Sequence, residues 1–64
     1  MIRLELERRK KDMSQKRLGF AANVEAANIS KAENHSPHLY RVQLERIAAV
    51  LGYDGDPETL LDEI

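Results

Sequence analysis

The side chains with the most usable chemistry fall between Ser14 and Asn34, in the stretch SQKRLGFAANVEAANISKAEN. The spacing predicts a helix over about 25–34 with Ile29 and Ala32 turned inward. Ala27, Lys31 and Asn34 then share an outer face at i, i+4 and i+7, flanked by Ala26 and Asn28. A lysine there can donate to guanine O6 and N7. An asparagine can bond adenine N6 and N7, and alanine methyls can pack on thymine C5-methyl groups. Glu25 suits the positive end of a helix dipole but would stand near phosphates unless it accepts from cytosine N4. The same residues also describe an ordinary surface helix with plain alanines, and on residue types alone that reading is the stronger.

Other chemistries find little support. The chain has no cysteine, so neither a disulfide framework nor a zinc–thiolate site is expected. It has no phosphate-cradling glycine loop and no Ser/His/Asp set at workable spacing. Its paired carboxylates are solvent-type residues at the acidic end. No enzyme is expected, because a domain this small lacks room for a pocket of the usual size. His35 and His38 lack a third ligand, so no metal is expected, and no cofactor. Asp54-Gly55-Asp56 resembles the start of a calcium loop, but Thr59 stands where the sixth-place glycine belongs and the twelfth-place glutamate is missing.

The elements that must position these residues are short. Sixty-four residues make one small domain spanning 1–64, marginal alone unless well packed or oligomeric. With 42% apolar and 33% charged residues and three aromatic rings, an aliphatic all-helical core is expected and disorder is not. No apolar run approaches the ~18 residues of a membrane span, and no signal-peptide pattern opens the chain. A cytoplasmic protein with no membrane partner is the expectation. Net charge is −1, but its distribution is uneven. Residues 1–31 carry eight Lys/Arg against four acids, a balance of +4; residues 32–64 carry two against seven, a balance of −5. One basic face and one acidic end follow, and a basic face steers toward polyanions even when the total is near neutral.

Helix 1 is expected from Ile2 to about Lys11, with Ile2 and Leu6 on a narrow apolar stripe beside Leu4. Its Arg8–Lys11 run is either a solvated helix end or a phosphate-contacting edge. Asp12-Met13-Ser14 breaks the helix, with Met13 in the core. Ser14 caps helix 2, about 15–22, in which Leu18, Ala21 and Ala22 face inward. Asn23 tolerates the positive φ of a tight turn, Val24 plugs the joint, and small Gly19, Ala22 and Ala26 let two helices approach. Asn34 to His38 reads as a loop. Helix 4 spans Tyr40 to Leu51, with Leu44, Ile47, Ala48 and Leu51 at i, i+3, i+4 and i+7 and Gly52 as its stop. Asp56 caps and Pro57 starts a last helix, about 57–63. Its apolar edge of Leu60, Leu61 and Ile64 either folds onto the domain's own core or pairs two copies.

Ser14-Gln15, Leu18, Gly19, Val24, Ile29-Ser30-Lys31 and Glu33-Asn34, followed by Ile47-Ala48 and Leu51-Gly52, resemble the phage lambda repressor/Cro-like (XRE) family of helix-turn-helix domains. The resemblance covers roughly Leu4 to Tyr53. Asn23 replaces the family's usual turn glycine. Glu25, Ala26 and Ala27 stand where the family often carries hydroxyl, Arg or Gln side chains. The resemblance implies an all-α, compact bundle of about five short helices, with the helix over about 25–34 entering a DNA major groove. It implies double-stranded DNA contact through Gln15, Lys16, Ala26, Ala27, Asn28, Lys31, Asn34 and Arg41, and an ion pair between Arg8 and Glu33. A homodimer formed through the last helix would set two reading helices one DNA turn apart. The implied role is a transcription regulator, typically a repressor. An alternative from another class is a protein-interaction or antitoxin-like module, favoured by Glu25-Ala26-Ala27 and the acidic end.

Overall fold

The computed structural model describes residues 1–36 and 39–64, and all statements below concern those residues. Four α-helices are present: α1, Arg3–Lys10; α2, Gln15–Ala22; α3, Ala26–Glu33; and α4, Arg41–Leu51. A 3-10 helix follows at Pro57–Leu61. The chain is therefore a compact, mostly helical domain with four α-helices rather than about five. The last segment is shorter and tighter than the helix expected over 57–63. Asp56 Oδ1 accepts from Glu58 N at 3.0 Å, Pro57 supplies a preset φ, and Asp62 then turns extended (φ −68°, ψ 141°).

That extension has a partner. Glu63 forms an antiparallel bridge with Ile2. Arg3 N donates to Asp62 O at 2.8 Å, and Ile64 N donates to Met1 O at 2.9 Å. The first bond satisfies one of the amide groups that the start of α1 leaves unpaired, at a cap residue, Ile2, whose side chain cannot do so. The chain ends are thus tied together beside α1.

Turn chemistry sets the remaining boundaries. Asp12 takes a left-handed φ of 55° and stops α1. Ser14 Oγ accepts from Arg17 N at 3.0 Å and caps α2. Asn23 adopts φ 57°, ψ 48° at the end of α2, where Asn pays less than most residues for positive φ. Gln43 Oε1 accepts from Tyr40 N at 2.9 Å and opens α4. Gly52, at φ 65°, closes it, with Tyr53 N reaching back to Ala48 O at 2.9 Å, the geometry only a left-handed residue allows cheaply. The loop expectation for Pro37 and His38 lies outside the described residues.

Every helix contributes to one core. Leu4, Leu18, Ile29, Leu44, Ile47, Leu51 and Leu60 are fully buried, each side chain contributing roughly 1.5–3 kcal/mol by leaving water. Ile2, Ala22, Val24, Ala32 and Ala48 complete it, with Met13, Leu39, Val50, Tyr53 and Leu61 packed on its margin. The four-residue face of α4 is buried as its spacing requires. Two expected inward positions differ. Ala21 is exposed, because Leu18 and Ala22 already define the inner face of α2. Leu6 is only partly covered, and Leu4 takes the central place in α1. The longest helix has eleven residues; no helix is long and apolar enough to cross a membrane.

Candidate functional site

The inner framework of the α2–α3 region is a buried polar node. Arg8, near the end of α1, and Glu33, the last residue of α3, are both buried. Arg8 Nε donates to Glu33 Oε2 at 2.8 Å and Nη2 donates to Oε1 at 2.9 Å. This two-pronged geometry is the one a guanidinium makes best. Arg8 Nη1 also donates to Met13 O at 2.8 Å, and Gln15 Nε2 donates to Glu33 Oε1 at 2.9 Å. The node therefore joins α1, the 11–14 loop, α2 and α3. The hydrogen bonds it donates to Glu33 hold the Arg8 guanidinium above its ordinary range, against the opposing penalty of burial. No buried side-chain nitrogen or oxygen among the described residues lacks a partner.

The turn between α2 and α3 is fixed by close approach. A Cβ on Gly19 would lie 2.6 Å from Val24 O and 3.2 Å from Ala26 N. Glycine is thus what lets the backbone of the turn lie against α2. Val24 N donates to Gly19 O at 2.8 Å. From α4, Arg46 Nε donates to Ala22 O at 2.9 Å and Nη2 to Asn23 O at 3.2 Å. These bonds satisfy carbonyls that the end of α2 leaves open and pin the turn to α4.

On this frame α3 exposes Ala27 and Lys31 to solvent, with Ala26, Asn28 and Ser30 half-buried beside them. Glu25 is the N-cap of α3 and its side chain makes no capping bond. Asn28 makes no side-chain hydrogen bond among the described residues. The cations sort into two groups. Arg3 and Lys10 lie near Glu7, Arg9 pairs with Glu5 at 2.7 Å, and Arg8 is consumed by the node. Lys11, Lys16, Arg17 and Lys31 make no side-chain hydrogen bond or ion pair among the described residues. Lys11 stands near Gly52 at the end of α4, which leaves Lys16, Arg17 and Lys31 on α2 and α3.

Several residues named from sequence are placed differently. Gln15 is held by Glu33 rather than turned outward free. Asn34 spends its amide on Ser30 O, 2.9 Å away at the end of α3. Arg41 lies among three carboxylates: Glu45 at 3.2 Å, Asp56 at 3.3 Å and Glu58 at 3.5 Å. Asp56, with Glu45 and Glu58, holds its guanidinium above the ordinary range against a desolvation penalty. Of the expected contact set, Lys16, Ala26, Ala27, Asn28 and Lys31 lie on α2 and α3 without a competing side-chain bond. The apolar edge at 60–64 divides as well. Leu60 is wholly in the domain's own core, Leu61 is half-buried against it, and Ile64 is exposed. His35 takes a left-handed φ of 65°, and its Nδ1 lies 3.4 Å from Glu63 Oε2.

Two features went unread in the sequence. Arg46 acts as a clamp on the end of α2, which no local pattern signals across 24 positions. Phe20 is 91% exposed; its place two residues past inward-facing Leu18 was the available signal. An open groove of about 320 Å³ runs beside it, lined among others by Lys16, Asn23, Glu25, Ala26 and Gln43. Comparison of the chain with protein-family models, with curated proteins and with solved structures finds no match.

Proposed function

We propose that α2, the turn at Asn23–Glu25 and α3 act as a helix-turn-helix, and that the domain is a sequence-reading, double-stranded DNA-binding regulator of the phage-repressor/Cro type. The observation that carries this is the division of the cations. Lys16, Arg17 and Lys31, on α2 and α3, stand free of carboxylates, while the arginines of α1 and Arg41 of α4 are neutralised. Phosphate contact needs cations of that kind, and base reading needs an exposed helix face such as Ala27 and Lys31. In this reading Asn28 and Lys31 supply donors to base edges, and the alanine methyls meet thymine. The node of Arg8 and Glu33 holds α3 at a fixed angle, so that its face arrives preformed. Two copies of the domain would read a two-fold site; with Leu60 spent on the core, Leu61 and Ile64 are what remains of the edge expected to join them.

A second reading, as a protein-interaction module, draws on Glu25 and Arg41. Glu25 is exposed beside Ala26 and Ala27 and would repel phosphate. The three carboxylates around Arg41 cancel a cation that DNA would otherwise use.

Binding to a random double-stranded DNA pool, with salt titrated and the retained molecules sequenced, separates the two. Retention that falls with salt and enriches a two-fold motif is the expected result. Salt-sensitive retention without enrichment would reduce α3 to a non-reading helix, and absence of retention at low salt would refute DNA binding.

A further inference from the structure

Burying a phenylalanine is worth more than burying most other side chains, yet Phe20 keeps 91% of its surface in water. It lies on an α2 face that no other element covers. Lys16 and Arg17 share that exposed side one turn earlier, and Ala21 follows Phe20. The groove beside the ring has a floor of backbone and small side chains, Gly19, Val24 and Ala26, and a far wall at Gln43 of α4. The ring and groove are rigidly backed: Gly19 rests directly on the turn, and Arg46 fastens the end of α2 to α4.

Lys16 lines the groove and Arg17 is its neighbour on α2, and neither has a carboxylate partner among the described residues. Elsewhere the domain brings carboxylates to most of its arginines and lysines, three of them to Arg41 alone. Glu25 lines the groove as well. Four residues of helix separate Lys16 from Phe20, about 6 Å along the axis. An apolar side chain seated against Phe20 would therefore place flanking residues of its own segment within reach of Lys16 and Arg17.

We infer that the outer face of α2 is a docking site for a protein partner that presents an acidic segment with an apolar anchor. The anchor packs against Phe20 in the groove, and carboxylates on its N-terminal side, relative to α2, pair with Lys16 and Arg17. Charge complementarity selects this partner over a basic one, which the two free cations would repel. It also selects it over a purely apolar one, which would leave those cations desolvated at the rim without compensation. The DNA reading uses Lys16 and Arg17 for phosphate contact, but neither it nor the interaction reading through α3 assigns Phe20 and its groove, which is why Phe20→Ala is the deciding variant.

The test uses the whole chain and a displayed library of random 16-residue peptides, panned at moderate salt. Phe20→Ala and a Lys16→Ser/Arg17→Ser double variant serve as comparisons. Phe20 makes no core contact, so the first variant keeps the fold, as its thermal midpoint would confirm. The expected result is enrichment of peptides carrying Asp or Glu beside Leu, Phe or Met. Their affinity should fall about 30-fold on Phe20→Ala, as for a central aromatic contact, and more weakly, with a flattened salt dependence, on the double variant. Amide shifts on binding should centre on Gly19, Asn23 and Gln43. Recovery of basic peptides, peptides that bind Phe20→Ala as well as the wild type, or no enrichment over the starting library would each overturn the proposal.

Discussion

Replacing Glu33 by alanine tests the physical account of the frame most directly. Glu33 accepts two bonds from Arg8 and one from Gln15. Its loss leaves a guanidinium that is 9% exposed with only Met13 O, 2.8 Å away, as a partner. Breaking a buried ion pair from one side costs about 3–5 kcal/mol, because the remaining charge stays desolvated. Stability at roughly 0.05–0.15 kcal/mol per residue gives a domain of 64 residues only about 3–10 kcal/mol in total. Glu33→Ala is therefore expected to remove about a third or more of the folding free energy. In a small domain that is a fall in thermal midpoint on the order of 20 °C. Urea unfolding followed by circular dichroism measures it. The companion variant Arg8→Met/Glu33→Leu removes both charges and is expected to recover most of the loss, since an apolar pair avoids the desolvation cost. A Glu33→Ala cost below about 1 kcal/mol, the value of an exposed pair, would refute the buried-charge argument. So would a double variant no more stable than the single one.

Gly19→Ala should destabilise: helix propensity returns up to about 1 kcal/mol, but a Cβ 2.6 Å from Val24 O forces the turn away from α2 at about 1–3 kcal/mol, and a raised melting temperature would contradict that geometry. Lys31→Ala should lose about 1–3 kcal/mol of specific DNA affinity if it contacts a base, and Lys16→Ala should lower the salt slope by about one unit for all sequences. Arg41→Ala, by contrast, should change DNA affinity little, because three carboxylates already neutralise it; a large loss in a filter-binding or anisotropy titration would return Arg41 to the interface. The pKa of Arg8 is raised in the folded state, so the stability it supplies is fully present below its unfolded pKa and fades only as pH rises through the higher folded one. Unfolding free energies of wild type and Arg8→Met/Glu33→Leu should accordingly run parallel from about pH 7 to 10, and divergence in that window would point to another titrating group.

The legible parts of this chain are those whose physics is local. Leu44, Ile47, Ala48 and Leu51 repeat with the helical period, and a stripe that apolar has one stable place to go. Ser14, Asn23, Gly52 and Asp56-Pro57 mark boundaries because capping oxygens, left-handed φ and a preset φ act within a few residues. The last segment is shorter than its local signals imply, since its end is set by pairing with Met1–Arg3 and not by anything near residue 60. The pairing of Arg8 with Glu33 followed from the family resemblance alone; their separation of 25 positions carries no periodic signal.

Sequence by itself determined a mostly helical chain, roughly where α1 to α4 start and stop, the aliphatic core positions of α4, and a basic half followed by an acidic one. These follow from backbone sterics, solvent transfer and charge count, which need no knowledge of distant neighbours. Tertiary structure decided which polar side chains remain available. It bound Gln15 to Glu33, enclosed Arg41 in carboxylates, spent Asn34 on the end of α3 and Arg46 on the end of α2. It left Lys16, Arg17, Lys31 and the ring of Phe20 facing water. A side chain is free or committed according to what folding brings within about 3 Å of it, and that is settled by contacts between residues far apart in the chain.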